Sequence, residues 1–138
     1  MKISTRGRYG LRLLVDIAEQ DIDAPVALAT VAKRQHLSEK YLQQVALLLT
    51  RGGVLVSVKG SGGGYSLAKR PEDILMYDVL DLLEGNIAFE EDPPASETAV
   101  QRVIRHHFYR PIDRNVRTAF GTLNLADVLQ ADCFSDET

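Results

Sequence analysis

One stretch, Ser57-Val58-Lys59-Gly60-Ser61-Gly62-Gly63-Gly64-Tyr65-Ser66-Leu67, constrains the fold of this chain more than any other. Val54, Val56 and Val58 alternate before the glycines, and Tyr65 and Leu67 alternate after them. Period-two spacing on both sides of a glycine-rich tip predicts a β-hairpin. Glycine tolerates positive φ and close approach of another backbone. A tip of that kind carrying Lys59 is suited to lie against a phosphate chain. Directly before it, residues 28–52 read as two short helices joined by a tight turn. Helix, turn, helix and a basic hairpin form the layout of a winged helix-turn-helix, which points to DNA. A P-loop is excluded because no G-x-x-x-x-G-K-[ST] is present. A dinucleotide fingerprint needs its glycines to open a helix. Here they lead into Tyr65-Ser66-Leu67-Ala68, a strand that ends before Pro71. A tight hairpin that binds nothing is the competing reading of this segment taken alone.

The two helices carry their own signals. Leu28, Val31 and Ala32 form the inward face of the first, at about residues 28–35. His36-Leu37-Ser38 is the turn, and Ser38 is a favourable N-cap with Glu39 in the first turn behind it. Leu42, Val45, Ala46 and Leu49 form the buried face of the next helix, which Gly52-Gly53 should end in a left-handed cap. Its opposite face presents Lys40, Tyr41, Gln43 and Gln44. Recognition helices offer their N-terminal residues to base edges in the major groove. Glutamine matches the adenine edge, and lysine reaches guanine or phosphate. The competing reading is a solvated polar face.

Net charge taken alone argues against DNA, since the chain carries a formal −3. The sum hides an asymmetry. Residues 1–70 hold 11 Lys and Arg against 5 Asp and Glu, a net +6, and residues 71–138 hold 5 against 14, a net −9. The basic half is the half with the helix-turn-helix, and phosphate attraction dominates nonspecific affinity. The acidic half should face away. No apolar run approaches the ~18 residues of a membrane span. No apolar stretch with a small-residue cleavage site marks a signal peptide at the N-terminus. One cysteine, Cys133, excludes an intramolecular disulfide and a multi-cysteine metal site within one chain. These features predict a cytoplasmic protein with no membrane association.

Residues 4–20 predict a first helix with two adjacent apolar stripes, Leu11, Leu14, Val15, Ala18 and Leu13, Ile17. A face that wide implies two packing partners. Arg6, Arg8 and Arg12 make its start basic. Asp21 to Pro25 reads as a loop. After the hairpin, Pro71-Glu72-Asp73 opens a turn and Tyr77 to Leu83 forms a short helix stopped by Gly85. Residues 86–95, with Glu90-Glu91-Asp92-Pro93-Pro94, form an acidic linker and the clearest boundary in the chain. Residues 97–121 then show a long helical pattern: Val100, Val103, Ile104, Phe108, Ile112, Val116, Ala119 and Phe120. A second copy of the chain is the simplest partner for such a stripe, giving an isologous homodimer. Pro111 interrupts the pattern, so a kink or a restart is expected there. Asn124 to Asp127 reads as a capped terminal turn. Residues 132–138 are acidic and polar, and a disordered tail is expected. The expected class is mainly α with a small β-hairpin. It divides into a winged helix-turn-helix domain over 1–85, the linker, and a dimerisation helix region over 96–131.

The chain resembles the Rrf2 family of bacterial transcription regulators. The likeness rests on Met1-Lys2-Ile3-Ser4-Thr5-Arg6-Gly7-Arg8-Tyr9-Gly10-Leu11-Arg12, on Ser38-Glu39-Lys40-Tyr41-Leu42, and on the hairpin's Ser57 to Gly60 and Gly62 to Leu67. Val79 to Gly85 resembles the family's V-x-x-x-x-E-G, and Leu123 to Val128 its closing T-L-x-D-L. The resemblance implies a homodimer that inserts two recognition helices into a palindromic operator on double-stranded DNA and acts mostly as a repressor. Residue reading and resemblance together give one set of DNA-facing candidates. They are Arg6, Arg8 and Tyr9, then Thr30, then Ser38, Lys40, Tyr41, Gln43 and Gln44. Lys59, Gly60, Ser61, Gly62, Gly63 and Tyr65 complete the set from the hairpin. The dimerisation candidates are Val100, Ile104, Phe108, Ile112, Val116, Ala119 and Phe120.

One departure concerns sensing. Iron–sulfur members of the family carry three cysteines between the short helix and the long one, often with a histidine nearby. By spacing, those cysteines fall near Glu91, Glu97 and Val103, and none is a thiol. His106 falls about where the histidine would be. His106 and His107 also read simply as polar residues on a partly exposed helix, and Cys133 as incidental to any site. The expected regulator has no cofactor and no metal site, and its effector or partner protein is open. Two alternatives stand beside it: a redox sensor with an atypical ligand set, and a protein-interaction module that has lost DNA binding. No nucleophile–base, paired-carboxylate or metal-spaced constellation points to an enzyme.

Overall fold

The structure, a computed structural model, describes residues 2–20 and 24–130. Asp21 to Asp23 of the expected loop, and the expected tail with Cys133, lie outside the described residues. Seven α-helices and one hairpin occur among them: α1 (Thr5–Glu19), α2 (Leu28–Gln35), α3 (Glu39–Arg51), β1 (Leu55–Val58), β2 (Gly64–Leu67), α4 (Met76–Glu84), α5 (Ala99–Ile104), α6 (Arg110–Phe120) and α7 (Leu125–Leu129). A 3-10 turn at Pro71–Asp73 precedes α4, and a π-helical turn at Arg105–Tyr109 joins α5 to α6.

Four of the helices, α1, α3, α5 and α7, start where a side chain satisfies a free N–H group. Ser4 Oγ accepts from Gly7 N–H at 3.0 Å, and Ser38 Oγ accepts from Tyr41 N–H at 3.3 Å. Thr98 with Gln101 and Asn124 with Asp127 form reciprocal capping boxes. Both apolar stripes of α1 are used. Leu13, Leu14 and Ile17 are buried, and Leu11, Val15 and Ala18 pack half-buried at the edge of the same cluster. Around them close Val31 and Ala32 of α2, Leu42, Val45, Ala46 and Leu49 of α3, and Val79 and Leu83 of α4. Leu125 of α7 is fully buried in this cluster too, so the chain returns to the winged-helix core after the long helix. That return is fixed by backbone pairing, Met76 N–H to Leu123 O at 2.9 Å and Leu125 N–H to Ile74 O at 2.8 Å.

The Gly52-Gly53 pair ends α3 as expected, with Gly53 the member in the left-handed conformation at φ 76°, and Val54 N–H returns to Leu49 O. In the hairpin, Leu55 pairs with Leu67 and Ser57 with Tyr65. The inward face is therefore Leu55, Tyr65 and Leu67, while Val56 and Val58 are 45% and 41% exposed. Strand alternation begins at Leu55, and a one-residue offset sends the valines to the other face. Pro111 does not break the long helix. The turn before it widens instead, and Arg110 N–H bonds to Arg105 O, five residues back. A proline has no N–H to give and its ring crowds the preceding turn, so a π turn upstream relieves both.

Asp16 is the one buried charged residue among the described residues, 4% exposed on α1. It accepts from Arg34 Nε and Nη2 at 3.1 and 2.6 Å and from Gln35 Nε2 at 2.9 Å, tying α1 to the end of α2. Asp16→Ala should destabilise the domain by about 1.5–3 kcal/mol in urea unfolding, as for hydrogen bonds to a charged group. The lower end is expected because Arg34 is 38% exposed and its charge is partly screened. An unchanged midpoint would show that water replaces these bonds without cost.

Candidate nucleic-acid interface

The buried face of α3 fixes the direction of its other face. With Leu42, Val45, Ala46 and Leu49 inward, Lys40, Gln43 and Gln44 are exposed. None of these three makes a side-chain hydrogen bond or ion pair among the described residues, so all are available to a ligand. Ser38 is exposed, but its hydroxyl caps α3. Tyr41 is half-buried and meets Tyr9 of α1 edge-on, with ring centroids 5.3 Å apart. Arg12 lies over the Tyr9 ring at 5.8 Å and its guanidinium donates to the carbonyl of Gln35, at the C-terminal end of α2. Tyr9 and Tyr41 thus form a strut between α1 and the start of α3, tied by Arg12 to α2.

The hairpin is anchored rather than free. Val26 and Tyr65 exchange both backbone hydrogen bonds at 2.8 Å, so one residue before α2 acts as a third strand. Sequence pattern did not show this, because a single bridging residue has no period. Gly64 permits it: a Cβ there would lie 2.3 Å from Val26 O. At the tip Gly60 and Gly62 take φ 99° and 76°, conformations that favour glycine. Lys59 and Ser61 are exposed, and Lys59 has no partner among the described residues. Gly62 and Gly63 also line a groove of about 380 Å³ together with Thr30 and Arg34. The candidates from α2, α3 and the hairpin are therefore held in one basic domain.

Arg6 and Arg8 differ from that picture. Arg6 Nε donates to Leu83 O at 2.5 Å, capping the C-terminal end of α4, where a cation also meets the helix dipole. Arg8 gives its Nε to Ile3 O at 3.0 Å, within its own helix start, and both arginines remain exposed. Arg12, outside the expected set, turns out to be a buttress. Its signal was the three-residue spacing from Tyr9 on one helix face.

The region where the family's cysteines would fall has different chemistry. Glu97 accepts from Arg105 Nε and Nη2 at 2.7 and 2.8 Å, and Arg102 lies 3.7 Å away. This hydrogen-bonded guanidinium holds the Glu97 carboxyl below its usual range. A carboxyl lowered in this way contributes above the ordinary carboxylate range, and the contribution is lost as pH falls through it. His106 Nδ1 is 3.1 Å from an Arg110 nitrogen. No group of three or more His, Cys, Asp or Glu is placed to hold a metal ion among the described residues. An iron–sulfur cluster, which is held by thiolates, does not fit them. No helix among the described residues is long and apolar enough to cross a membrane.

Two helices joined by a tight turn, an open polar face on the second and an anchored basic hairpin define a class: a winged helix-turn-helix DNA-binding regulator of transcription. The family profile for Rrf2, "Iron-dependent Transcriptional regulator", matches residues 3–131, and the chain belongs to that family. The HTH-type transcriptional regulator CymR of Bacillus subtilis is 38% identical over 99 residues, covering 69% of this chain and 72% of its own. Protein rrf2 of Nitratidesulfovibrio vulgaris is 40% identical over 97 residues, covering 68% and 65%. Among solved structures, CymR (YrzC), the global cysteine regulator of B. subtilis, aligns with a TM-score of 0.75 at 31% identity, over 94% of this chain and 96% of that one. T. potens IscR aligns with a TM-score of 0.72 at 30% identity, over 100% and 92%.

The two arginines at the start of α1 should separate in experiment. Arg8→Ala is expected to weaken DNA binding and reduce its log–log salt slope by about 1, as for one phosphate contact. Arg6→Ala should lower the melting temperature and leave that slope unchanged. A reduced slope for Arg6→Ala would place its guanidinium on DNA after all.

Proposed function

We propose that the chain works as a homodimer that reads a palindromic operator in double-stranded DNA and represses transcription. The observation that carries this reading is the free polar face of α3, Lys40, Gln43 and Gln44, beside a hairpin whose Lys59 is equally unpartnered. Lys40 and Lys59 supply phosphate attraction that is blind to sequence. Gln43 and Gln44 supply the base-edge contacts that specify. Arg8, Tyr41, Thr30 and the glycine tip complete the contact surface, with Tyr9 acting through Tyr41.

Dimerisation rests on the long helix. Val100 and Phe108 are 68% and 56% exposed, with Val103 and Ile104 exposed beside them. A contiguous apolar stripe of this kind marks an interaction surface, and a second copy covers it by two-fold symmetry. Ala119 is exposed and Ile112 half-buried. Val116 and Phe120 line an apolar cavity of about 290 Å³ with Ile3, Leu80 and Phe89 of their own chain. Phe120 also packs on Tyr77 at 5.2 Å. The half of the stripe before Pro111 is thus the part most in need of a partner.

Sequencing of genomic DNA captured by the purified protein should return a palindromic motif upstream of a small set of genes, and adding the protein should lower transcription from those promoters in vitro. On that operator, Lys59→Ala should weaken binding to all sequences alike. Gln44→Ala should relax preference at one position, at about 1–3 kcal/mol for a bidentate base contact. Equal losses on operator and random DNA from Gln44→Ala would remove its base-reading role. Separately, Val100→Glu with Phe108→Glu should shift the sedimenting species from dimer to monomer. A dimer that survives both charges would put the seam elsewhere.

A further inference from the structure

Residues 86–98 contain no regular element and are rich in Glu, Asp and Pro. Ile87 and Phe89 line the apolar cavity beside Val116 and Phe120, and the rest of the segment has little apolar area with which to order itself. It is nonetheless fastened to the long helix at three points. The N–H groups of Phe89 and Glu90 donate to the two carboxylate oxygens of Asp113 at 2.7 and 3.0 Å. Glu90 accepts from Arg110 Nε at 2.7 Å, with Arg105 Nη1 at 3.5 Å. Glu97 closes the set with its two-pronged grip by Arg105. The Arg105 and Glu97 side chains are only 14% and 13% exposed, so water screens this pair less than an ordinary surface pair. Forked arginine–carboxylate bonds are also the stronger and more directional kind.

The sequence cause lies five residues away. In an α-helix, residues 105 and 110 would stand about 140° apart around the axis, since each residue advances about 100°. The π turn before Pro111 stacks residue 110 above residue 105 instead. Both arginines then reach Glu90 from one face. The segment they hold begins at Gly85, where α4 ends, and α4 is clamped to the start of α1 through Arg6 on Leu83 O and Ser4 on Glu84. Fixing the segment therefore fixes how the long helix is set against the DNA-binding domain.

We propose that this clasp of Glu90 and Glu97 on Arg105 and Arg110 stands in place of a metal centre, so that operator affinity is independent of iron and Arg105 is a positioning residue for DNA binding. The inference rests on the operator reading above. Full-length protein is prepared without air, one portion supplied with iron and sulfide and another treated with a chelator. Operator affinity is measured for both, and for Arg105→Gln, Glu97→Gln and the double variant, with amide exchange over residues 86–98 in parallel. Wild type should bind equally with and without iron. Each single variant should weaken binding about threefold or more and speed exchange, and the double variant should lose no more than either single one, the mark of a coupled pair. A wild type whose affinity changes with iron overturns the proposal. So do single variants with unchanged affinity and exchange, or losses that simply add. A wild type that selects no DNA defeats the operator reading, and the exchange cycle then decides the clasp by itself.

Discussion

Burial of one face of α3 beneath α1 is the constraint on which the rest depends. Leu42, Val45, Ala46 and Leu49 have no solvent-facing alternative, because each is withdrawn from water against Leu13, Leu14 and Ile17. Full burial of a side chain of this size stabilises by roughly 1.5–3 kcal/mol, far more than any exposed polar contact on the same helix. The rotation of α3 about its axis is set by that difference. Lys40, Gln43 and Gln44 point outward as a consequence, without partners of their own. The Tyr9–Tyr41 contact then fixes the tilt at the N-terminal end, and Asp16 holds α2 to the same scaffold. Recognition chemistry is thus placed by packing chemistry on the opposite side of one helix.

Much of this was legible in the sequence. The helical periods located α1, α2, α3 and α4 to within a residue or two, because each has an apolar face; α1 and α3 also start at a serine cap, and α2, α3 and α4 end at the left-handed residues His36, Gly53 and Gly85. The hairpin was legible from its glycines. Its facing was not, since alternating Val54, Val56 and Val58 matched a strand of either register, and the start of pairing at Leu55 decides between them. Long-range polar contacts were also hidden. The bond from Arg6 Nε to Leu83 O joins the start of α1 to the end of α4 across 77 residues of chain. Val26 as a third strand and Leu125 in the core depend on what comes near them in space, and no local pattern carries that information.

Pro111 shows a subtler limit. Sequence placed a disturbance there correctly, but kink, restart and π turn all answer the same missing N–H. The choice among them sits in the surroundings. A π turn keeps the helix continuous while shifting the phase of everything before it by about one residue. Val100, Ile104 and Phe108 nonetheless differ in exposure from Ile112, Val116 and Phe120, although their spacing in sequence is unbroken. The first stripe faces solvent and the second packs on Tyr77 and the apolar cavity of its own chain. The division follows the packing of α6 against α4, which covers the later residues of the run.

The charge asymmetry of the chain acquires a direction from these contacts. In the acidic half, Arg102, Arg105 and Arg110 are engaged by Glu90 and Glu97, and Arg117 lies over the Tyr77 ring at 4.8 Å. Three of the five cations there are thus paired internally, while Arg114 stays exposed, and the carboxylates remain in surplus. In the basic half, Lys40 and Lys59 are left open on α3 and the hairpin tip. Charges exposed within a Debye length of about 8 Å act on an approaching polyanion, while paired ones contribute little. Phosphates are thus attracted to the recognition side and repelled by the acidic half. A protein with a net charge of −3 can in this way approach DNA in a single orientation, because the sum of its charges matters less than which of them are left unpaired.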